Sequence, residues 1–92
     1  MNINTRFHGV LADFIASDTV RFEMGSRPTY GDLLDEIGHR FGRDMPSELW
    51  DASKNRFQGS ILAVGDKRNL KSMDTPLKAD EDITFYIMLA GG

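Results

Sequence analysis

The chain has 92 residues, which suits one domain with a single modest core and leaves no room for a second lobe or a deep cleft. Its 11 basic and 14 acidic residues are interspersed and give a formal net charge of −3, which argues against a binder of nucleic acid or anionic membranes. The absence of cysteine excludes disulfides, thiolate metal sites and cysteine nucleophiles.

The amino-terminal segment gives an expectation about location. It has neither the basic and apolar regions of a signal peptide nor an apolar run long enough to span a bilayer. We therefore expect a cytoplasmic protein that does not associate with a membrane.

Two alternating segments open the chain. Apolar and polar side chains alternate over residues 3–10, where Gly9 is expected to end or bend a half-buried strand. After a polar turn at 16–18 the alternation resumes over 20–24. The short connection predicts an antiparallel hairpin.

The apolar period then changes to that of an amphipathic helix. Its stripe consists of Tyr30, Leu33, Leu34, Ile37 and Phe41. Thr29 is predicted to cap the helix with Asp32 completing a capping box, and Gly42 to take the left-handed position after the last turn. Gly31 and Gly38 each lower helix propensity by about 1 kcal/mol relative to alanine, so packing against a sheet has to hold this helix.

The sequence pattern in the second half of the chain predicts its elements less clearly. Residues 43–59 are predicted to form a loop with one helical turn, in which Trp50 and Phe57 close the open end of the core. Residues 61–64 predict a covered strand, and 67–70 a short edge strand.

The strongest strand signal is the alternation over residues 83–89. Because this strand is so apolar, we expect it to be central and to pair with the first strand. The order strand, strand, helix, strand, strand predicts an α+β fold in which a mixed sheet of four to five strands packs on one main helix.

The run Thr-Pro-Leu-Lys-Ala-Asp-Glu-Asp-Ile at 75–83, followed by an apolar strand and Ala-Gly-Gly at 90–92, resembles the ubiquitin-like sulfur carriers. This family includes the small subunit of molybdopterin synthase and the thiamine-biosynthesis sulfur carrier, and residues 27–34 resemble the start of its helix. The resemblance implies a single β-grasp domain over 1–92 with a flexible tail at 89–92. The tail lacks the proline pair common in the molybdopterin subunit.

The resemblance also implies a chemistry. An E1-like adenylyltransferase would use ATP and Mg to adenylate Gly92, which would then become a thiocarboxylate. The sulfur would pass to an acceptor enzyme, such as the molybdopterin synthase large subunit or thiazole synthase. The chain has neither a phosphate-binding P-loop nor a dinucleotide fingerprint, so we expect it to bind no cofactor and to be a carrier rather than an enzyme.

Glycine at positions 91 and 92 has a physical reason. Without Cβ, the backbone of Gly91 and Gly92 can enter a narrow channel, and four extended residues beyond Met88 reach only about 13 Å. Partners must therefore hold the folded body close.

Strand parity places Arg6, His8, Tyr86 and Met88 on the face away from the helix, where they are either a docking surface or ordinary solvated residues. The predicted partner-binding residues are Tyr86, Met88, Leu89, Ala90, Arg6 and His8.

Other polar residues are assigned simpler roles. His8 and His39 have no companions at metal-ligand spacing, so solvated histidines and no metal site are expected. The acidic run 80–82 is read as a solvated turn in preference to a docking patch.

Three alternatives to the molybdopterin-type carrier remain. They are a carrier of the thiamine or cysteine type, a protein modifier conjugated through Gly92, and an adaptor subunit without tail chemistry.

Overall fold

The computed structural model describes residues 1–15 and 17–87. No helix in these ranges is long and apolar enough to cross a membrane. In chain order the elements are β1 (Asn2–Phe7), α1 (Val10–Ile15), β2 (Thr19–Glu23), α2 (Tyr30–Phe41), a 3-10 turn (Gly42–Asp44), β3 (Trp50–Asp51), β4 (Arg56–Phe57), β5 (Ile61–Gly65), β6 (Arg68–Leu70) and β7 (Asp82–Ile87).

The main sheet has five strands in the order β2-β1-β7-β5-β6. Strand β7 lies in the centre, where Phe85 is paired with Phe7 of the parallel β1 and with Ala63 of the antiparallel β5. Strand β6 is an edge strand. The predicted mixed sheet on one main helix, the central last strand and the antiparallel pairing of β1 with β2 are all confirmed, although β1 and β2 are connected through α1 and not by a short turn.

The core lies between this sheet and α2. The helix buries Tyr30, Leu33, Leu34 and Ile37, as the stripe predicts. From the sheet, Phe7 and Phe85 stack with ring centroids 5.2 Å apart. Aromatic rings and branched aliphatic side chains therefore fill the space between the two layers.

The predicted start of α2 is confirmed. The Thr29 backbone N–H donates to Asp32 Oδ2 at 2.9 Å, and the Asp32 N–H donates to Thr29 Oγ1 at 3.2 Å, which completes the capping box. The backbone N–H groups of Tyr30 and Gly31 donate to the carbonyls of Thr75 and Met73. The first turn therefore has partners for the amides that a helix leaves free.

The predicted role of Gly42 is wrong. Its φ of −57° is right-handed and continues into the 3-10 turn. A Cβ there would lie 3.1 Å from Trp50 Nε1, and one on Gly38 would lie 2.8 Å from Trp50 Cζ2. These glycines let the indole ring approach the helix backbone.

The first strand is shorter than predicted, because β1 ends at Phe7. Gly9 has a φ of 61°, a left-handed conformation that suits glycine, and it turns the chain into α1. Val10 consequently belongs to a helix and not to the strand. Helix α1 was not predicted, and it buries Leu11 and Ile15.

The loop predicted for 43–59 is wrong over its second half, which forms the β3–β4 hairpin. Trp50 is opposite Phe57, and the two rings meet edge to face with centroids 4.9 Å apart. Trp50 is buried and Phe57 packs against Phe85 at 5.0 Å. Their predicted place in the core is therefore confirmed.

Candidate carboxyl-terminal site and docking face

The two residues predicted to carry the chemistry, Gly91 and Gly92, lie outside the described residues. So do the predicted partner-binding residues Met88, Leu89 and Ala90. The structure describes the chain as far as Ile87, at the end of β7, and the remaining predicted residues Arg6, His8 and Tyr86.

The end of β7 is held from both sides. Ile87 is opposite Ile61 of β5, and the His8 N–H donates to the Phe85 carbonyl at 3.1 Å on the β1 side. The Ile83 and Phe85 side chains are fully buried beneath this strand. The last described residues of the chain are therefore held firmly in the sheet.

His8 and Tyr86 form the most distinct feature of the face away from α2. Their rings stack with centroids 4.8 Å apart and an interplanar angle of 24°, and Tyr86 is 39% exposed. Arg6 is exposed on the same face, opposite Thr84. The structure thus brings the three described residues to one face, and their role in binding stays a prediction.

Two apolar residues extend this feature and were not identified from the sequence. Leu62 is opposite Tyr86, and Val64 is opposite Thr84, so their side chains share its face and are only half buried. We call Tyr86, His8, Leu62 and Val64 the outer patch. The apolar run 61–64 predicts a strand without saying which of its side chains face which side, and the β5–β7 register shows that Leu62 and Val64 join Tyr86.

The charges around the outer patch are of both signs. Arg6 lies beside it, and the exposed Asp82 lies on the same face of the next strand, opposite Asn4. Farther out, Arg21 and Asp80 approach to 3.9 Å with highly exposed side chains, a geometry that contributes little to stability. An apolar centre with a mixed polar rim is the usual anatomy of a protein-binding surface.

The interpretation of 80–82 as a solvated turn is wrong for Glu81. Its side chain is fully buried and accepts from Arg68 Nη2 at 2.7 Å and Nε at 3.2 Å. The backbone N–H groups of Asp66 and Lys78 donate to the same carboxylate at 2.8 and 2.9 Å. Asp80 and Asp82 are exposed, as predicted.

Two opposing effects set the pKa of Glu81. Burial alone would raise it, but the hydrogen bonds from Arg68 and from the Lys78 and Asp66 amides outweigh burial and hold the pKa below its usual range. The acidic run therefore contributes a structural ion pair near the start of β7.

The described residues contain no candidate metal site. No group of three or more His, Asp or Glu side chains there is placed to hold a metal ion. His39 is exposed on α2, as predicted for a solvated histidine.

No family model matches the sequence, and no curated protein matches it significantly. Solved structures do match the fold of the chain. The small archaeal modifier protein SAMP1 from Haloferax volcanii has a TM-score of 0.80 at 17% identity, over 100% of both chains.

Two further structures come from molybdopterin-converting factors. A putative subunit 1 from Pyrococcus furiosus has a TM-score of 0.74 at 15% identity, over 97% of this chain and 99% of that one. A complex of subunits 1 and 2 from Helicobacter pylori has a TM-score of 0.64 at 15% identity, over 100% of each chain. The chain therefore has the ubiquitin-like β-grasp fold, and its predicted resemblance to the ubiquitin-like sulfur carriers is confirmed at the level of the fold.

Proposed function

We propose that the chain is a sulfur carrier whose Gly92 carboxylate is adenylated by an E1-like enzyme and converted to a thiocarboxylate. The thiocarboxylate then donates sulfur in the biosynthesis of a molybdopterin-type cofactor. The observation that carries the proposal is the full-length match of the fold to a modifier protein and to subunit 1 of a molybdopterin-converting factor, in a sequence with Gly91 and Gly92 after the last strand.

The proposed chemistry begins with a carboxylate, which is a poor electrophile. Attack of the Gly92 carboxylate on the α-phosphate of ATP forms an acyl-adenylate and releases pyrophosphate. The terminal sulfur of a partner's persulfide then attacks the acyl carbon and expels AMP. A second thiol attacks the partner's sulfur atom of the resulting acyl disulfide, forms a disulfide with it and releases the thiocarboxylate. ATP, Mg and the persulfide belong to the partners, and the chain is their substrate rather than a catalyst.

The folded body serves as the docking handle in this proposal. Partners contact the outer patch together with Arg6, because these residues lie on the sheet face that includes the end of β7. Since the reach beyond Met88 is about 13 Å, a partner's active site has to lie close to this face. The buried, doubly paired β7 fixes where the tail begins, and the two glycines supply the narrow cross-section.

A sulfur acceptor is the second partner of the proposal. The Helicobacter pylori structure is a complex of subunit 1 with subunit 2, which supports an acceptor subunit of the same kind for this chain. The chain would then be the small subunit of an enzyme complex. Activation and transfer both take place in the cytoplasm.

Intact-mass spectrometry tests the proposal. The chain is co-expressed with an E1-like enzyme and a persulfide donor, and we expect the mass increase of one oxygen replaced by sulfur, confined to Gly92. A variant lacking Gly92 is the control and should not shift. Failure of the full chain to shift, while the enzyme releases pyrophosphate in its presence, would contradict the proposal.

The pathway is tested by offering the thiocarboxylate form to different acceptors. We expect sulfur to transfer to a molybdopterin synthase large subunit. Transfer only to a thiazole synthase or a cysteine synthase would instead assign the chain to the thiamine-type or cysteine-type carriers.

A second candidate function is protein modification through an isopeptide bond from Gly92 to target lysines. The likeness to a small archaeal modifier protein favours it. Proteolysis of cell extract should then leave Gly-Gly remnants on lysines of other proteins, and these remnants should disappear when Gly92 is deleted. A partner activity that survives the deletion would support the adaptor alternative.

A further inference from the structure

A groove opens beside α2 at the β5–β6 side of the sheet, and Leu62 is the one residue of the outer patch that borders it. It has a volume of about 620 Å³ and lies between α2, the β3–β4 hairpin and the β5–β6 strands. The apolar side chains that line it are Leu34, Phe57, Ile61, Leu70 and Met73. Phe57, Ile61 and Met73 are only half buried, so the groove offers apolar surface to a ligand.

One wall of the groove is a strand edge without a neighbour. Strand β5 begins at Ile61, but its pairing with β6 stops at Ala63 opposite Leu70. Beyond Leu70 the chain turns towards α2, where the Met73 carbonyl accepts from the Gly31 N–H at 2.9 Å. The strands therefore separate beside Ile61 and Leu62. The Ile61 N–H already donates to the Gln58 carbonyl at 3.0 Å, so an extended peptide can align along this edge through side-chain contacts and the remaining backbone groups.

The charged residues that line the groove have one sign, while the acidic Asp51 lies opposite Arg56 in the β3–β4 hairpin. Arg56 and Lys71 are the charged residues that line it, and both are exposed. Neither forms an ion pair within residues 1–15 and 17–87. Two cations beside apolar surface, in a chain of net charge −3, are complementary to an acidic ligand.

Tyr30 adds a polar group to the same groove. Burial raises the pKa of Tyr30 to about 12, so its phenol remains a neutral donor under physiological conditions. Its hydroxyl makes no hydrogen bond to another described residue. The hydroxyl can therefore donate to a backbone carbonyl of a bound segment.

We propose that this groove binds an extended segment of a partner protein that carries a few apolar residues flanked by carboxylates. The segment lies along the edge of β5 at Ile61 and Leu62, its apolar side chains enter the groove, and its carboxylates meet Arg56 and Lys71. This binding is independent of Gly92. The groove and the outer patch share Leu62, whereas His8, Val64 and Tyr86 do not line the groove.

A peptide titration followed by NMR tests the proposal. The probe is the capped peptide Glu-Glu-Val-Ile-Val-Glu-Glu, added to the uniformly ¹⁵N-labelled full chain. We expect saturable shifts of the amide signals of Ile61, Leu62 and Lys71, with little change at His8 and Tyr86. A peptide with lysine in place of each glutamate should bind more weakly.

Matched variants separate the groove from net charge. Arg56→Gln with Lys71→Gln removes two positive charges at the groove, and Arg43→Gln with Lys67→Gln removes two from exposed positions elsewhere. We expect the first pair to weaken binding roughly fivefold, which corresponds to the loss of two exposed charge contacts, and the second to leave it nearly unchanged.

Four results would overturn the proposal. They are the absence of saturable binding, shifts centred on His8 and Tyr86, equal binding by both double variants, and equal binding by the lysine peptide. Sedimentation of the chain alone adds a fifth, because a dimer that protects the groove would make a second copy its occupant. None of these measurements depends on tail chemistry, so their outcome is separate from that of the sulfur-carrier proposal.

Discussion

Glu81 is the residue on which two loops of the structure depend. One carboxylate joins the β5–β6 turn at Asp66, the β6 strand at Arg68 and the loop before β7 at Lys78. Its side chain has no exposed surface, so every one of these hydrogen bonds is made inside the protein. Buried carboxylates are tolerated when their oxygens are satisfied in this way.

Replacing Glu81 by glutamine should destabilise the protein. Each oxygen accepts two hydrogen bonds, so the amide nitrogen of Glu81→Gln has to face groups that are themselves donors. We expect the free energy of unfolding to fall by about 2 kcal/mol, measured by chemical denaturation. The exposed neighbour Asp82→Asn is the control and should change it little. Equal effects of the two substitutions would contradict this account.

The same ion pair predicts a pH dependence. The folded-state pKa of Glu81 is lowered from the usual 4.5, so its contribution is fully present above that value and is lost as pH falls through the folded-state pKa. The stability difference between the parent and Glu81→Gln should therefore be largest near neutral pH and shrink in acid. Denaturant midpoints across a pH series measure it. A difference that is independent of pH would show that the lowered pKa does not stabilise the fold.

At the scale of elements, the sequence predicts the parts whose pattern repeats. The helix over 30–41 and strand β7 each repeat their apolar period several times, and both are confirmed. Helix α1 has six residues and strands β3 and β4 have two each, so none of them is long enough to establish a period.

Contacts between residues that are distant in the sequence could not be predicted from local sequence patterns either. Glu81 is buried because Arg68, thirteen positions away, lies beside it. The outer patch depends on the register that sets Leu62 opposite Tyr86. By contrast, the face of Arg6, His8 and Tyr86 followed from strand parity and the expected pairing of the first and last strands.

The contact between α2 and the β3–β4 hairpin can be tested at Gly38. Alanine is the better helix former by about 1 kcal/mol, yet a Cβ here would lie 2.8 Å from Cζ2 of the buried Trp50 and 2.6 Å from Asn55 Oδ1. The exposed Asn55 can move, but the indole ring cannot. We expect Gly38→Ala to destabilise the protein by about 1 to 3 kcal/mol in denaturant unfolding, because overpacking outweighs propensity.

Gly25→Ala is the matched control, since a Cβ there meets nothing within 4 Å and its φ is not positive. It should leave stability unchanged or raise it by up to about 1 kcal/mol through the unfolded state. A gain of stability in Gly38→Ala would show that the hairpin is packed less tightly against the helix than described.

At the scale of the whole molecule, the protein has two surfaces of different character, which share only Leu62. The outer patch has an aromatic stack and apolar neighbours near the end of β7, whereas the groove on the helix side is apolar with cations beside it. The outer patch is the one that includes Tyr86, close to Ile87, after which the residues of the proposed tail follow in the sequence. Changes to it should therefore alter activation without altering the fold.

Tyr86→Ala tests this separation. Because Tyr86 is 39% exposed and lies outside the core, its loss should change the free energy of unfolding little, while it removes an aromatic anchor of the proposed docking surface. We expect kcat/KM for adenylation of the chain by its E1-like partner, measured by pyrophosphate exchange, to fall roughly tenfold. Arg43→Ala, exposed on the 3-10 turn, is the control and should leave it unchanged. Full activity of a folded Tyr86→Ala variant would show that the docking surface does not lie on this face.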